Sequence, residues 1–277
     1  MSSGRKNEAK SQRGSDGMNL EGKVALITGG SSGLGWGAAK VLAEQGASVV
    51  IAGRTQSSLD KAVSKLREAG HEARAVKVDI SRYEELEAAV EEIDQRFGRL
   101  DILYANAGVN GVWAPLEELT LQEWKETLDI NLSGTFYTIK SCLPLLKRNG
   151  GSVVITSSVN GTRMFSNTGA TAYATSKAGQ VALAKMLALE LAPSGIRVNV
   201  ICPGWIESEI EENTEKRDLE KVATPVEFPE GAVPLKRGSP GKAVEVGNLV
   251  AFLSSDLASH ITGTEVWIDG AQSLLQG

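Results

Sequence analysis

Seven short apolar runs, each but the last followed by a long helical stretch, constrain the fold of this chain more than any other feature. Val24-Ala25-Leu26-Ile27, Val49-Val50-Ile51, Ala75 to Ile80, Ile102-Leu103-Tyr104, Val153-Val154-Ile155, Val198-Asn199-Val200-Ile201 and Val266-Trp267-Ile268 are continuous rather than alternating. Strands buried on both faces of a parallel sheet have that pattern. Helices are expected at roughly 33–45, 57–69, 82–97, 121–148, 173–192 and 241–254. The alternation implies an α/β fold: a doubly wound, mostly parallel seven-stranded sheet with helices on both faces. No linker or repeat interrupts it, so one domain is expected over 19–277, preceded by a disordered tail of Ser, Gly and charged residues over 1–18.

The chain carries a formal charge of −5 with a pI near 5.3, which argues against non-specific nucleic-acid binding. Two cysteines, Cys142 and Cys202, make no disulfide framework and suggest a reducing compartment. With only His71 and His260 beside them, no metal-ligand spacing is visible. No apolar run reaches membrane-spanning length, and the N-terminus lacks a hydrophobic signal core. The expectation is a cytoplasmic protein without membrane or nucleic-acid partners.

Two motifs carry chemistry. Thr28-Gly29-Gly30-Ser31-Ser32-Gly33-Leu34-Gly35 follows the first strand and opens the first helix. There glycines let the backbone turn tightly against a pyrophosphate and the helix N-terminus supplies donors. Tyr173-Ala174-Thr175-Ser176-Lys177 heads an apolar helical stretch. Tyrosine and lysine four apart share a helix face, and a cation beside the phenol is expected to pull its pKa toward the working range. Taken singly, each motif also fits a plain loop or a core aromatic.

Together the spacing TGxxxGxG followed by YxxxK resembles the short-chain dehydrogenase/reductase family, and 3-oxoacyl-acyl-carrier-protein reductase-like enzymes among its NADP-preferring members. Further matches are Asn106-Ala107-Gly108, Asn131, Ser158 and Pro203-Gly204, in family order over roughly residues 20 to 271. The resemblance implies a Rossmann-type fold and a catalytic set of Asn131, Ser158, Tyr173 and Lys177. In that set Tyr173 is the general acid, Ser158 holds the carbonyl oxygen, and Lys177 lowers the tyrosine pKa and holds ribose hydroxyls. Asn131 positions a water. Each has a plainer alternative: Asn131 bonding backbone within a helix, Ser157 or Ser158 capping a turn, Tyr173 as core.

The resemblance also implies cofactor contacts from Gly29, Ser31, Ser32, Gly33, Leu34, Gly35, Asn106, Ala107, Gly108, Tyr173 and Lys177. Pro203, Gly204, Ile206 and Ser208 are expected at the nicotinamide. The second strand ends Ala52-Gly53-Arg54 with no acid, which suits a 2′-phosphate and predicts NADP(H) over NAD(H). Ser31 and Thr55 are expected to assist. Asp79 and Ile80 are expected beside adenine, although Asp79 also reads as a helix cap with Ser81.

Ser158 precedes Tyr173 by fifteen residues rather than the family's usual thirteen, implying two extra residues in Thr162 to Thr171. Counting back thirteen gives Asn160, which lacks the hydroxyl. Trp113, Met164, Phe165, Trp205 and Phe228 are candidate pocket aromatics and apolar groups, and 205–238 a candidate mobile lid. The leading expectation is an NADP(H)-dependent oxidoreductase acting on a small carbonyl or secondary alcohol, tetrameric by family analogy. The alternatives are an NAD-linked alcohol, sugar or polyol dehydrogenase, and a non-catalytic dinucleotide-binding regulator.

Overall fold

The computed structural model describes residues 18–207, 214–223 and 233–276. Its centre is β1 (Val24–Thr28), whose five residues are all buried. Around it lie β2 (Ser48–Gly53), β3 (Ala73–Lys77), β4 (Ile102–Ala105), β6 (Gly151–Thr156), β7 (Ile196–Pro203) and β9 (Glu265–Ile268), in the sheet order β3-β2-β1-β4-β6-β7-β9. Every pairing is parallel. The strand order reverses at β1, which pairs β2 on one side and β4 on the other. In such sheets the crevice at the reversal, beyond the carboxyl ends of the strands, is where ligands bind.

Alternate strand residues feed two cores. Leu26, Val50, Leu103, Val153 and Val198 face α3 (Tyr83–Phe97), α5 (Gly134–Asn149) and α6 (Thr171–Leu191). Ala25, Ile27, Val49, Ile51 and Tyr104 face α1 (Gly33–Glu44), α2 (Gln56–Glu68) and α7 (Ala243–Ser254). Burial on both faces is why these strands read as unbroken apolar runs.

Three departures from the sequence reading matter for the site. The third strand, expected to reach Ile80, stops at Lys77, because Lys77 pairs with Gly53 and β2 ends there. Val78, Asp79 and Ile80 therefore continue as loop. The expected 121–148 helix divides into α4 (Leu121–Leu128), one wide turn over Asp129–Ser133, and α5. In that turn the Gly134 N–H reaches back to the Asp129 carbonyl, releasing the Asn131 carbonyl to Thr135 Oγ1 and Gln180 Nε2. The third is a pair of two-residue strands, β5 (Val112–Trp113) and β8 (Glu215–Lys216), that no periodicity announces.

Candidate active site

A cavity of about 1280 Å³ opens along the carboxyl ends of the central strands. Gly29 and Ser31 to Leu34 form one wall, Tyr173 and Lys177 another, and Pro203 to Ile206 a third. Gly29 has φ +66°, and a Cβ there would meet Ala107 Cα and Asn106 Nδ2, each at 3.1 Å. Gly35 lies behind the wall: a Cβ on it would fall 2.1 Å from the Gly29 carbonyl oxygen. Its place is close packing of helix against turn. Thr28 Oγ1 accepts from the backbone N–H groups of Asn106 and Ala107, at 3.0 and 3.1 Å, and Asn106 Nδ2 donates to the Thr28 carbonyl. Asn106 thus sews the turn after β4 to the turn after β1.

These residues fit a dinucleotide diphosphate. The first turns of α1 and α2 contain no acid to neutralise their N-terminal donors, and the N-cap hydroxyls of Ser32 and Thr55 make no capping bond. Arg54, Thr55, Asp79, Ile80 and Ser31 line the same end of the cavity. Asp79 is both a turn-forming and a pocket residue: its Oδ1 accepts from the Ser81 N–H and hydroxyl at 3.0 and 2.7 Å. Burial alone would raise its pKa, but those bonds and the Arg54 and Arg82 charges outweigh it and hold the carboxyl below its usual value. Arg54 therefore faces the cavity beside Asp79.

At the other end Lys177, buried, donates from Nζ to the Thr156 carbonyl at 2.9 Å, and its Nζ stands 5.5 Å from the centroid of the Tyr173 ring. Burial pushes the ammonium pKa down to about 8. The Tyr173 pKa goes up, not down as the sequence reading expected. Burial dominates it, and the hydrogen bond with Ser158 only partly offsets this.

The structure separates the two serines. Ser157 Oγ donates to the Lys177 carbonyl at 2.8 Å, pinning α6, while Ser158 faces Tyr173 in the cavity and accepts from the Asn160 N–H. Asn160 lines the cavity and its Oδ1 accepts from Asn167 Nδ2 at 2.9 Å, across a turn in which the Gly161 N–H donates to the Met164 carbonyl. Asn131 is fully buried behind Gly108. Its Oδ1 accepts from the Val109 N–H, and its Nδ2 donates to the Val109 carbonyl and to Ser176 Oγ. These bonds clamp the loop after β4 onto α6, rather than bonding backbone of Asn131's own helix.

Among the nominated pocket groups, Trp113, Met164 and Trp205 line the cavity. Phe165 does not: it is 69% exposed outside it. Phe228 and Ser208 lie outside the described residues. The part of the nominated lid over 214–223 is tied down, because β8 pairs with β5 and Arg217 bridges to Glu123 at 2.9 Å. Lys221 adds a bridge to Glu118 at 2.5 Å.

The sequence reading missed several wall residues. Gln272 Oε1 accepts from the Trp205 N–H at 2.7 Å and fixes the loop after β7. Trp36, Ser58, Lys61 and Lys65 line the Arg54 end; the spacing 58, 61, 65 is that of one face of α2 and was the available signal. Thr156, Asn110 and Lys216 gave no signal, since each reaches the cavity through a pairing distant in sequence. Among the described residues no His, Cys, Asp or Glu group is arranged to hold a metal ion, and no helix is long and apolar enough to cross a membrane.

Known proteins share this architecture. The family model described as enoyl-(acyl carrier protein) reductase matches residues 29–271. Oxidoreductase UcpA of Salmonella typhimurium is 40% identical over 260 residues, covering 92% of this chain and 96% of its own. Cyclohexanol dehydrogenase of Acinetobacter is 36% identical over 250 residues, covering 90% and 94%. The crystal structure of a 3-ketoacyl-ACP reductase from Sinorhizobium meliloti superposes with a TM-score of 0.88 at 48% identity, over 91% of this chain and 99% of that one. With the glycine turn, the Rossmann-type parallel sheet and the Tyr173–Lys177 helix meeting at one cavity, these matches make the chain a member of the short-chain dehydrogenase/reductase family, an oxidoreductase acting on CH–OH groups with a nicotinamide dinucleotide.

Proposed function

We propose that the chain is an NADP(H)-dependent carbonyl reductase working on a small ketone, with Tyr173 as proton donor. The observation that carries it is the gathering of Ser158, Tyr173 and Lys177 at one end of a single cavity whose other end holds Arg54 next to Gly53. When bound, the nicotinamide would supply the hydride to the carbonyl carbon. The side chains do the rest. Negative charge growing on the carbonyl oxygen meets the hydroxyls of Ser158 and Tyr173, and Tyr173 gives up its proton to form the alcohol. The phenol is protonated at neutral pH and so is available as the donor. Lys177, a cation held against the same ring, would compensate the phenolate and refill its proton, and would hold the nicotinamide ribose.

At the far end Arg54, with Ser31 and Thr55, would hold a 2′-phosphate, and Asp79 and Ile80 the adenine. Gly29, Ser32, Gly33 and Leu34 would hold the diphosphate, Ala107 and Gly108 the ribose side, and Pro203, Gly204 and Ile206 the nicotinamide. One catalytic unit over 19–277, a cytoplasmic location and a tetramer by family analogy belong to the same proposal. Exposed Met186 and Leu189 on α6 and Phe136 on α5 support the last. The 3-ketoacyl-ACP reductase among the similar structures supports a 3-oxoacyl substrate class. The name cyclohexanol dehydrogenase supports the second reading, oxidation of a cyclic alcohol.

Steady-state kinetics with both cofactors test the assignment. NADPH is expected to give at least about tenfold higher kcat/KM than NADH, and Gly53→Asp to invert the ratio. Equal use of the two by the wild type refutes the cofactor assignment. Tyr173→Phe is expected to keep NADPH binding and lose about a thousandfold in kcat; near-normal turnover refutes the role of the phenol.

A further inference from the structure

Besides Lys177, which donates to the Thr156 carbonyl, the substrate end of the cavity holds a second cation, Lys216, that forms no ion pair among the described residues. β8 runs parallel to β5 with Trp113 opposite Lys216, and the Arg217 N–H closes the ladder onto the Trp113 carbonyl at 2.9 Å. Successive strand residues point to opposite faces. Glu215 and Arg217 accordingly share the outer face and lie 3.8 Å apart, while Lys216 faces the cavity and is part of its lining. Its Nζ sits 5.7 Å from the centroid of the Trp113 ring, and that ring stands 6.3 Å from the ring of Tyr173. The ammonium therefore reaches the cavity across one indole from the phenol.

The neighbouring cations are committed. Arg217 bridges to Glu123 and Glu215, and Lys221 to Glu118 and Asp218. Among the described residues Lys216 forms no ion pair, and the cavity wall is mixed: Asn110 and Asn160 line it together with Trp113 and Met164. The apolar groups can cover a short methylene stem, whereas Lys216, exposed at the rim, offers a carboxylate a charge-assisted bond.

Building on the reductase reading, we propose that Lys216 is the specificity residue of the substrate pocket. It receives the carboxylate of a small oxo acid whose carbonyl, a few bonds away, lies between Ser158 and Tyr173. Trp113 sets the spacing between the two groups and covers the substrate's methylene stem. The class of reaction that supplies such a substrate is one that leaves a ketone a few carbons from a free carboxylate.

The test pairs each of 4-oxopentanoate and 5-oxohexanoate with its methyl ester, alongside neutral cyclic and open-chain diketones, with NADPH and NADH as cofactors. The expected result is an acid-to-ester ratio in kcat/KM of about ten or more for the wild type. Lys216→Ala should collapse that ratio toward unity through the KM of the acid. Lys216→Arg should largely restore it, and Lys216→Glu should turn it in favour of the ester. Equal use of acid and ester by the wild type, or a ratio that Lys216→Ala leaves unchanged, overturns the proposal. Turnover of diketones with neither acid nor ester accepted also overturns it, while sparing the reductase reading. Failure of every compound with both cofactors removes the reductase reading, and the proposal with it. A further arm compares a 3-oxoacyl thioester of N-acetylcysteamine with that of coenzyme A. A Lys216-dependent preference for the coenzyme A ester alone would assign the ammonium to a pantetheine phosphate and refute the oxo acid.

Discussion

Lys177 Nζ donates to the carbonyl of Thr156 at 2.9 Å, so the last residue of β6 holds the lysine that four residues earlier on α6 has Tyr173 as its neighbour. Thr156 in turn directs its hydroxyl to Tyr104 at 2.8 Å and to Asn106 at 3.2 Å. The ammonium is thereby tied through the sheet to the loop that packs on the glycine turn. Both ends of the cavity rest on one hydrogen-bonded frame.

Burying that ammonium costs stability. The Lys177 pKa falls from 10.5 to about 8 on folding, so the charged form is penalised in the folded state and stability rises as pH climbs from about 8 to 10.5. The penalty is fully present below pH 8, where it amounts to roughly 3 kcal/mol at most. Lys177→Met should raise Tm at pH 7 and show a vanishing gain near pH 10 while turnover is lost. Differential scanning fluorimetry across pH measures this, and a lower Tm at pH 7 would contradict it.

Asn131 should act on folding as much as on chemistry. Asn131→Ala removes the partner of the Val109 N–H and carbonyl, both part-buried at the cavity wall, at a cost of about 1–3 kcal/mol. Urea unfolding should show a lowered midpoint with an unchanged m-value. A midpoint equal to the wild type would mean that the clamp on Val109 is dispensable.

The two glycines flanking β2's cofactor end and the first turn should respond oppositely to the same change. Gly35→Ala places a Cβ 2.1 Å from the Gly29 carbonyl oxygen and should raise the NADPH dissociation constant at least about tenfold. Gly53→Ala meets only Leu59, at 3.5 Å, and should alter stability by less than about 0.5 kcal/mol. Isothermal titration with thermal melts on both proteins distinguishes them; equal affinities would remove the close-packing argument.

Arg217 should tether the segment over 214–223. Its guanidinium, with the Thr120 N–H, holds the Glu123 carboxyl down to about 2, so the tether's contribution persists above the ordinary carboxylate range and fades only as pH falls from 4.5 toward 2. Arg217→Met should speed amide exchange in 214–223 and raise the substrate KM several-fold, with NADPH affinity retained. Unchanged exchange would show that β5–β8 pairing alone holds the segment.

How much of this was legible in the sequence differs from element to element. The β1 run from Val24 and the glycine turn after it gave the doubly wound sheet and the cofactor end directly, because burial on both faces forces unbroken apolar strands and tight turns force glycine. The same local logic placed Tyr173 and Lys177 on one helix face. It did not give the direction of the Tyr173 pKa, since desolvation depends on everything packed around the ring. It gave no warning of the wide turn that aims Asn131 at Val109, of Ser157 pinning α6, or of Lys216 facing the cavity opposite Trp113. Each of those depends on partners between 20 and 103 residues away, and only the folded chain brings them within bonding distance.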